Sequence, residues 1–296
     1  MKKMFTLAVA GVFLAFGFGA ATAPTADAKI KKPGYQKKAP KMPKTAYVEG
    51  SAGGGSVAGK VAYSGKVPDP KPFTISKNPE VCGIEGSGEK TSGGQQVSKG
   101  GKRIFHFTYA PGGVAQHAVV FIEGIETGKP WGDFGAKMNI RAEDCAFLEY
   151  QNLVRDGTTV FETVNLDPVL HNPHTFYFAG KARKTFFNVA VNPKGEAGDK
   201  TGFTFEGKMA MKKGKARVFK LECDQHDFMH SWGWNASNPY AQIVNADGTY
   251  SLDGVPDGTH NVCVWHPETG IWCDEVAVAG ATTHDFTICN KMKKGC

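Results

Sequence analysis

Several sequence features are missing from this chain of 296 residues, and each absence excludes a class of protein. After the N-terminal region, no stretch approaches the roughly 18 continuous apolar residues that a membrane-spanning helix needs, so we expect no integral membrane segment there. The chain also lacks the nucleophile-elbow (G-x-S-x-G), zinc-protease (H-E-x-x-H) and phosphate-binding P-loop patterns. No convincing helical periodicity is present. We therefore expect neither an enzyme of these classes nor a helical fold.

The N-terminus has the three parts of a secretory signal peptide. Residues 1–3 are positively charged, residues 5–20 are apolar, and Ala26-Asp27-Ala28 is an A-x-A cleavage site. No cysteine ends the apolar run, which argues against a lipid anchor. We expect residues 1–28 to be removed after Ala28 and the mature protein to be periplasmic or secreted.

The net charge of +7 arises in one segment. Residues 29–44 carry seven lysines and no acidic residue, and the sequence after them is close to neutral. Nucleic-acid binding needs a basic face on the folded part, so we expect no nucleic-acid partner. In residues 29–56, Lys and Pro give way to Gly and Ser, a composition typical of a flexible linker.

The remaining sequence alternates in the manner of β-strands. Apolar and polar residues alternate in short segments between turn residues, for example at 57–63 and 216–222. Residues 118–122 form a continuous apolar run, which fits a buried strand of a sandwich. Residues 124–143 are expected to be irregular. Turn signals at regular intervals predict an all-β fold built as a sandwich.

The seven cysteines are an odd number for an exported protein. Three disulfides would use six of them and leave one thiol. We leave Cys223 unpaired, because it alone has His and Met at ligand spacing. The sequence does not fix the other connectivities. In order of preference, the pairs are Cys82–Cys145, then Cys263–Cys273, which flank a hairpin, and then Cys289–Cys296.

The most informative stretch offers Cys223, His226 and Met229 at Cys-x2-His-x2-Met spacing. A thiolate, a thioether and two imidazoles form the donor set of type 1, or blue, copper, which transfers electrons. We expect the second imidazole from His171, in the upstream segment His171-Asn172-Pro173-His174. Zinc suits this set less well because Met is a poor zinc ligand, and a binuclear copper site would need a second Cys in the loop.

Each of these residues also has an ordinary interpretation. Cys223 also fits a disulfide, which would leave another cysteine free, and His171 also fits a polar loop histidine. His174 and His230 are possible extra ligands, and both also fit a loop or structural role.

Residues 223–229 resemble the ligand loop of the cupredoxins, in particular the short loop of amicyanin. His171-Asn172 is similar to the upstream His-Asn pair of plastocyanin-like proteins. The resemblance covers residues 101–232 and implies a Greek-key β-sandwich that binds one type 1 copper ion through His171, Cys223, His226 and Met229.

For function, this resemblance implies one-electron transfer without an enzymatic reaction of the protein's own. The expected partners are redox proteins, such as a cytochrome c or a copper or quinone oxidoreductase. We expect the electron to leave through an exposed edge of the His226 ring.

A second resemblance lies near the C-terminus. Residues 247–260 resemble the DGxFxLxxVPxGxY segment of carboxypeptidase regulatory-like (transthyretin-like) β-domains, and Gly59-Lys60-Val61 resembles their opening strand. With Cys82, Cys145 and Trp265-His266, these features resemble exported methylamine-utilisation-like proteins. The resemblance implies a small additional β-sandwich over residues 233–296, on which the strand and loop of residues 57–100 pack.

Two other functions remain open from the sequence. One is a copper-binding or copper-handling protein of the cell envelope without a role in electron transfer. The other is a β-sandwich interaction module.

Overall fold

The structure is a computed structural model that describes residues 34–36, 42–92, 95–107, 109–110, 113–155, 159–179, 182–194, 203–205 and 217–289. The predicted signal peptide, its cleavage site and Cys296 lie outside these residues. Among the helices of the described residues, none is long and apolar enough to cross a membrane.

Nearly all regular structure in this part of the chain is β. The strands are β1 Gly34–Gln36, β2 Val48–Glu49, β3 Gly55–Ser64, β4 Lys71–Thr74, β5 Gln96–Lys99, β6 Lys102–Phe105, β7 Tyr109–Ala110, β8 Val114–Ala115, β9 Val119–Glu123, β10 Thr127–Gly128, β11 Lys137–Glu143, β12 Ala146–Phe147, β13 Gln151–Arg155, β14 Val160–Asn165, β15 Pro173–Ala179, β16 Ala182–Asn188, β17 Phe203–Phe205, β18 Val218–Cys223, β19 His230–Ala236, β20 Ala241–Ile243, β21 Thr249–Val255, β22 Gly258–His266, β23 Gly270–Val278, β24 Ala281–Thr283 and β25 Phe286–Cys289. A short helix, α1, spans Pro79–Cys82. The prediction of an all-β sandwich is confirmed.

One five-stranded sheet, in the order β1-β23-β22-β9-β20, is buried on both faces at its centre. Val120 and Val264 contribute to one hydrophobic core, and their neighbours Val119 and Trp265 contribute to another. Because successive side chains of a strand point to opposite faces, a strand between two cores needs apolar residues at every position. This explains the unbroken apolar run at residues 118–122, and the prediction of a buried strand there is confirmed.

The strands of the N-terminal and C-terminal parts are paired with one another. β3 lies between β21, to which it is antiparallel, and the strands β24 and β25, to which it is parallel. β9 pairs with β20 and β22. Strand β9, which the sequence assigned to the predicted 101–232 segment, is therefore part of a sheet with strands of the predicted C-terminal β-domain.

The disulfide predictions are confirmed where the structure describes both partners. Cys82 bonds Cys145, and Cys263 bonds Cys273 across directly paired positions of β22 and β23. Cys223 is the free cysteine among the described residues. Cys289 is disulfide-bonded, but the prediction that it pairs with Cys296 falls outside the described residues.

The prediction that residues 124–143 are irregular was wrong for the end of this segment. β11 occupies the end of this segment, and its Met138, Ile140 and Ala142 are buried while alternate residues are exposed. Only three apolar side chains mark it, and its partner β14 is parallel and more than 15 residues away, so no local turn announces the pairing. Parts of the predicted linker are also strands, since β1 pairs with β23 and β2 with β10.

A second five-stranded sheet, in the order β13-β19-β18-β15-β16, carries the predicted ligand residues. Its inner face shares a core with the sheet β12-β11-β14-β17, where Leu221 and Phe219 meet Met138 and Phe161. The loop from β18 to β19 and the entry to β15 therefore lie at the same end of one sandwich.

Gly59 in β3 provides a test of how tightly the strands of this fold pack. A Cβ atom on Gly59 would lie 1.9 Å from the carbonyl oxygen of His284, whose own amide donates to Ala58. We expect Gly59→Ala to lower the free energy of unfolding by about 2 kcal/mol or more, since backbone must move to accept the methyl group. Chemical denaturation measures this loss.

Gly54→Ala is the matched control for this substitution. A Cβ atom on Gly54 would meet nothing within 4 Å, so its stability should stay close to that of the wild type. Equal losses in the two variants would contradict the packing argument.

Candidate metal centre

The predicted ligand loop joins two neighbouring antiparallel strands. Cys223 is the last residue of β18, and His230 is the first residue of β19. The Cys223 amide donates to the Met229 carbonyl at 3.2 Å, and the Met229 amide donates to the His226 carbonyl at 3.0 Å. These bonds fold the seven residues 223–229 into a closed turn, so the Cys lies at a strand end with the His in the following loop, as the sequence predicts.

The upstream segment meets this loop because β15 pairs with β18. Pro173 lies opposite Cys223 in the register of the two strands. The Asp224 amide donates to the Asn172 carbonyl at 3.1 Å, and His171 forms a bridge with Val191 on its other side. His171 is thus fixed beside the Cys223 thiol by backbone hydrogen bonds.

Three side-chain donor atoms converge at this point. The Nδ1 atoms of His171 and His226 are 3.1 Å apart, and each lies 3.7 Å from Cys223 Sγ. All three residues are buried. The Asn172 amide donates to the same sulfur at 3.4 Å, a hydrogen bond that stabilises negative charge on it.

Met229 is fully buried, in the hydrophobic core cluster that also contains Cys223 and Phe228. The turn that carries His226 therefore also directs the Met229 side chain inward.

The outer nitrogen of His171 is held by a carboxylate. His171 Nε2 lies 2.7 Å from Asp167 Oδ2, and Asp167 also accepts the amides of Asp144 at 2.7 Å and Cys145 at 2.9 Å. A carboxylate accepts only, so Nε2 carries the proton and Nδ1 faces the thiol.

The outer nitrogen of His226 is covered as well. His226 Nε2 lies 3.2 Å from Asn78 Oδ1, and the residue is only 2% exposed. The prediction of an exposed His226 edge was wrong, because a segment 148 residues earlier in the chain closes over the ring.

Burial and hydrogen bonding act in opposite directions on the two titratable groups. Burial lowers the pKa of His171, but its bonds to Asp167 and Cys223 outweigh burial and raise that pKa to about 9. Burial raises the pKa of Cys223, but His171 and His226 outweigh it and bring that pKa to about 6. The site therefore favours a thiolate at neutral pH.

The two possible extra ligands are not brought to the three donor atoms. His174 Nδ1 binds the Asp224 carboxylate at 3.0 Å, and its Nε2 lies 2.8 Å from Thr185 Oγ1. His230 Nδ1 lies 3.1 Å from the Phe228 carbonyl, and its ring packs against Phe105. These nitrogens of His174 and His230 therefore contact Asp224, Thr185 and Phe228, and not the three converging donor atoms.

Sequence reasoning missed Asp167 and Asn78. Asp167 precedes His171 by four residues but belongs to no motif that we recognise there, and Asn78 is distant in the sequence. Both act through nitrogens that face away from the donor atoms, so ligand spacing gives no signal for them. A further group, Cys145, Asp167 and His171, lies close enough for a metal ion, but Cys145 is disulfide-bonded and offers no thiolate.

The Cys223 thiol should ionise well below the ordinary range of about 8.5 for cysteine. In wild-type protein without added metal, we expect its ultraviolet thiolate absorbance to titrate with a pKa near 6. His171→Gln should raise this pKa, because it removes the charge and hydrogen bond beside the sulfur. His174→Gln is the control and should leave it unchanged; equal shifts in the two variants would refute the assignment to His171.

Comparison with known proteins finds no matching family model and no matching curated protein. Solved structures that match part of this chain include amicyanin from Paracoccus versutus (15% identity, TM-score 0.25, covering 40% of this chain and 97% of that one). They also include an amicyanin variant in its reduced Cu(I) form at pH 4 (12% identity, TM-score 0.24, covering 40% and 98%). A third is a purple cupredoxin from Nitrosopumilus maritimus (20% identity, TM-score 0.24, covering 34% and 99%). At such low scores, function must be inferred from the side chains of the site.

Proposed function

We propose that this protein is an exported type 1 copper protein that carries single electrons between redox proteins. The convergence of one buried thiol with the Nδ1 atoms of two buried histidines carries this proposal. Thiolate and imidazole together favour copper over the hard cations that prefer oxygen ligands.

The separations of the donor atoms fit a single small ion. Nitrogen and sulfur ligands lie about 2.0 and 2.3 Å from such a metal, so two ligands of one ion are on the order of 3–4 Å apart. The three separations between the donor atoms of His171, His226 and Cys223 fall in this range. Met229 supplies the weak fourth ligand in the proposal, and its thioether favours copper over zinc.

The chain's own residues prepare the site for electron exchange. Asp167 fixes the tautomer and orientation of His171. The Asn172 amide supports negative charge on Cys223, and burial of all three ligands excludes water. When bound, copper supplies the one-electron couple. Strand pairing holds Cys223 and His171 in place, so these residues would rearrange little if a bound copper ion changed its oxidation state.

The proposed location and partners of the protein rest on the sequence. The signal-like N-terminus supports export, and redox proteins are the proposed partners. We assign no catalytic step to the chain.

A second function is favoured by one observation. The covered ring of His226 leaves this predicted electron exit closed, which suits a protein that stores or delivers copper without exchanging electrons. The two functions differ in a simple measurement. An electron carrier is reduced and reoxidised reversibly by a redox protein, whereas a copper-handling protein passes copper to a chelator or acceptor without such exchange.

Visible absorption tests the copper site directly. We expect the Cu(II)-loaded protein to absorb intensely at about 600 nm, from charge transfer between the Cys223 thiolate and copper. Cys223→Ser should abolish this band, and His174→Ala should retain it because His174 makes other contacts. A colourless wild-type protein, or colour that survives Cys223→Ser, would refute the proposal.

The reduction potential tests the role of Met229. We expect Met229→Leu to keep the intense absorption and to raise the reduction potential, because loss of the weak thioether ligand would favour Cu(I). Met138→Leu, a substitution elsewhere in the same core, is the control and should change the potential little. Equal potentials in the wild type and Met229→Leu, measured by voltammetry, would exclude Met229 as a ligand.

A further inference from the structure

We infer that Asn78 is a positioning residue that holds the His226 ring with its proton on Nε2 and closes the site against solvent. The segment that carries it, residues 75–82, is called the Asn78 strap below. This inference deepens the proposed function, but its test uses protein without added metal, so the two can fail separately.

The Asn78 side chain does not form the capping hydrogen bond that its position before α1 would lead us to expect. Asn78 occupies the N-cap position of α1, where an Asn side chain normally accepts a hydrogen bond from the first turn. It makes no such bond, and its backbone is left-handed at φ 49° and ψ 48°. Asn tolerates this conformation better than most residues, and its Oδ1 is directed at His226 instead.

The amide orientation of Asn78 identifies the donor in this contact. Asn78 Nδ2 donates to Glu80 Oε1 at 3.3 Å, so Oδ1 is the atom left for His226. An amide oxygen can only accept, and His226 Nε2 must therefore donate. The Nδ1 atom of His226 then faces Cys223 and His171 as a nitrogen without its own proton.

The strap is anchored firmly enough to fix this contact. Cys82 ends α1 and is bonded to Cys145, and its carbonyl accepts from Ser98 Oγ at 2.6 Å and from the buried Arg103 at 3.2 Å. At the other end of the strap, Ile75 is buried in the core that contains Cys223. A weaker tie joins Lys77 Nζ to Gln225 Oε1 at 2.9 Å on the exposed surface.

The same disulfide also supports the outer partner of the other histidine. The Cys145 amide donates to Asp167, which holds His171. The Cys82–Cys145 disulfide thus joins the strap that holds His226 to the turn whose Cys145 amide binds Asp167, the carboxylate partner of His171. A redox partner that approaches the His226 side meets Asn78 before it meets the imidazole.

Two substitutions of Asn78 distinguish the effect of its side-chain oxygen from the effect of its left-handed backbone. Asn78→Gly keeps the left-handed backbone, which glycine adopts freely, but removes Oδ1. Asn78→Asp keeps an acceptor and also tolerates the conformation. Lys77→Ala removes the exposed tie to Gln225 and serves as the control.

The readouts are the tautomer of His226 by nitrogen-15 NMR and the rate at which a neutral thiol reagent labels Cys223, both in mature protein without added metal. We expect the proton on Nε2 in the wild type, Asn78→Asp and Lys77→Ala. Asn78→Gly should show a mixture of tautomers and label about tenfold faster, because a buried donor has lost its partner.

Three results would overturn the inference. One is a wild-type His226 with its proton on Nδ1, which needs no variant to detect. Another is an Asn78→Gly protein that matches the wild type in both readouts. The third is equal change in Asn78→Gly and Asn78→Asp, which would assign the effect to strap packing and not to the oxygen. The visible band of the copper-loaded wild type reports separately on the proposed function.

Discussion

The site depends on the register in which β15 pairs with β18. Pro173 opposite Cys223 places His171 beside the thiol. A slip of one residue would turn every side chain of the strand to the opposite face, and His171 would leave the cluster. The buried alternation of β18, with Phe219, Leu221 and Cys223 facing the core, makes such a slip costly. Ordinary core packing therefore also determines the geometry of the donor atoms.

Next to this strand pairing, each of the two imidazoles has an oxygen partner on its outer nitrogen, Nε2. A carboxylate holds His171 and an amide oxygen holds His226, so the two rings differ in the charge of their partners. Asp167 favours the cationic form of His171, whereas neutral Asn78 adds no charge beside His226. The asymmetry gives His171 the stronger electrostatic partner and gives His226, which is also buried, a weaker and neutral one.

The sequence was informative where chemistry and local order coincide. Cys223 and His226 lie three residues apart, and the alternation before them identifies a strand, so the loop and its free thiol could be predicted. The proximity of His171 to this thiol needed only one further assumption, that the two segments meet. Asp167 and Asn78 could not be predicted in this way, because each acts on a nitrogen that faces away from the thiol. β11 was missed because its pairing is parallel and non-local.

The sheet formed by β9, β22 and β23 has a consequence for the order of folding. Its two faces contribute to two hydrophobic cores. One of these cores includes Trp234 of β19, the strand that follows the loop of Cys223 and His226. Its strands come from the middle and from near the end of the sequence. Contacts between residues so far apart in sequence form slowly. A chain that emerges from its N-terminus therefore exposes the apolar side chains of β19 that pack on this sheet until β22 and β23 are available, and such exposed apolar surface favours aggregation.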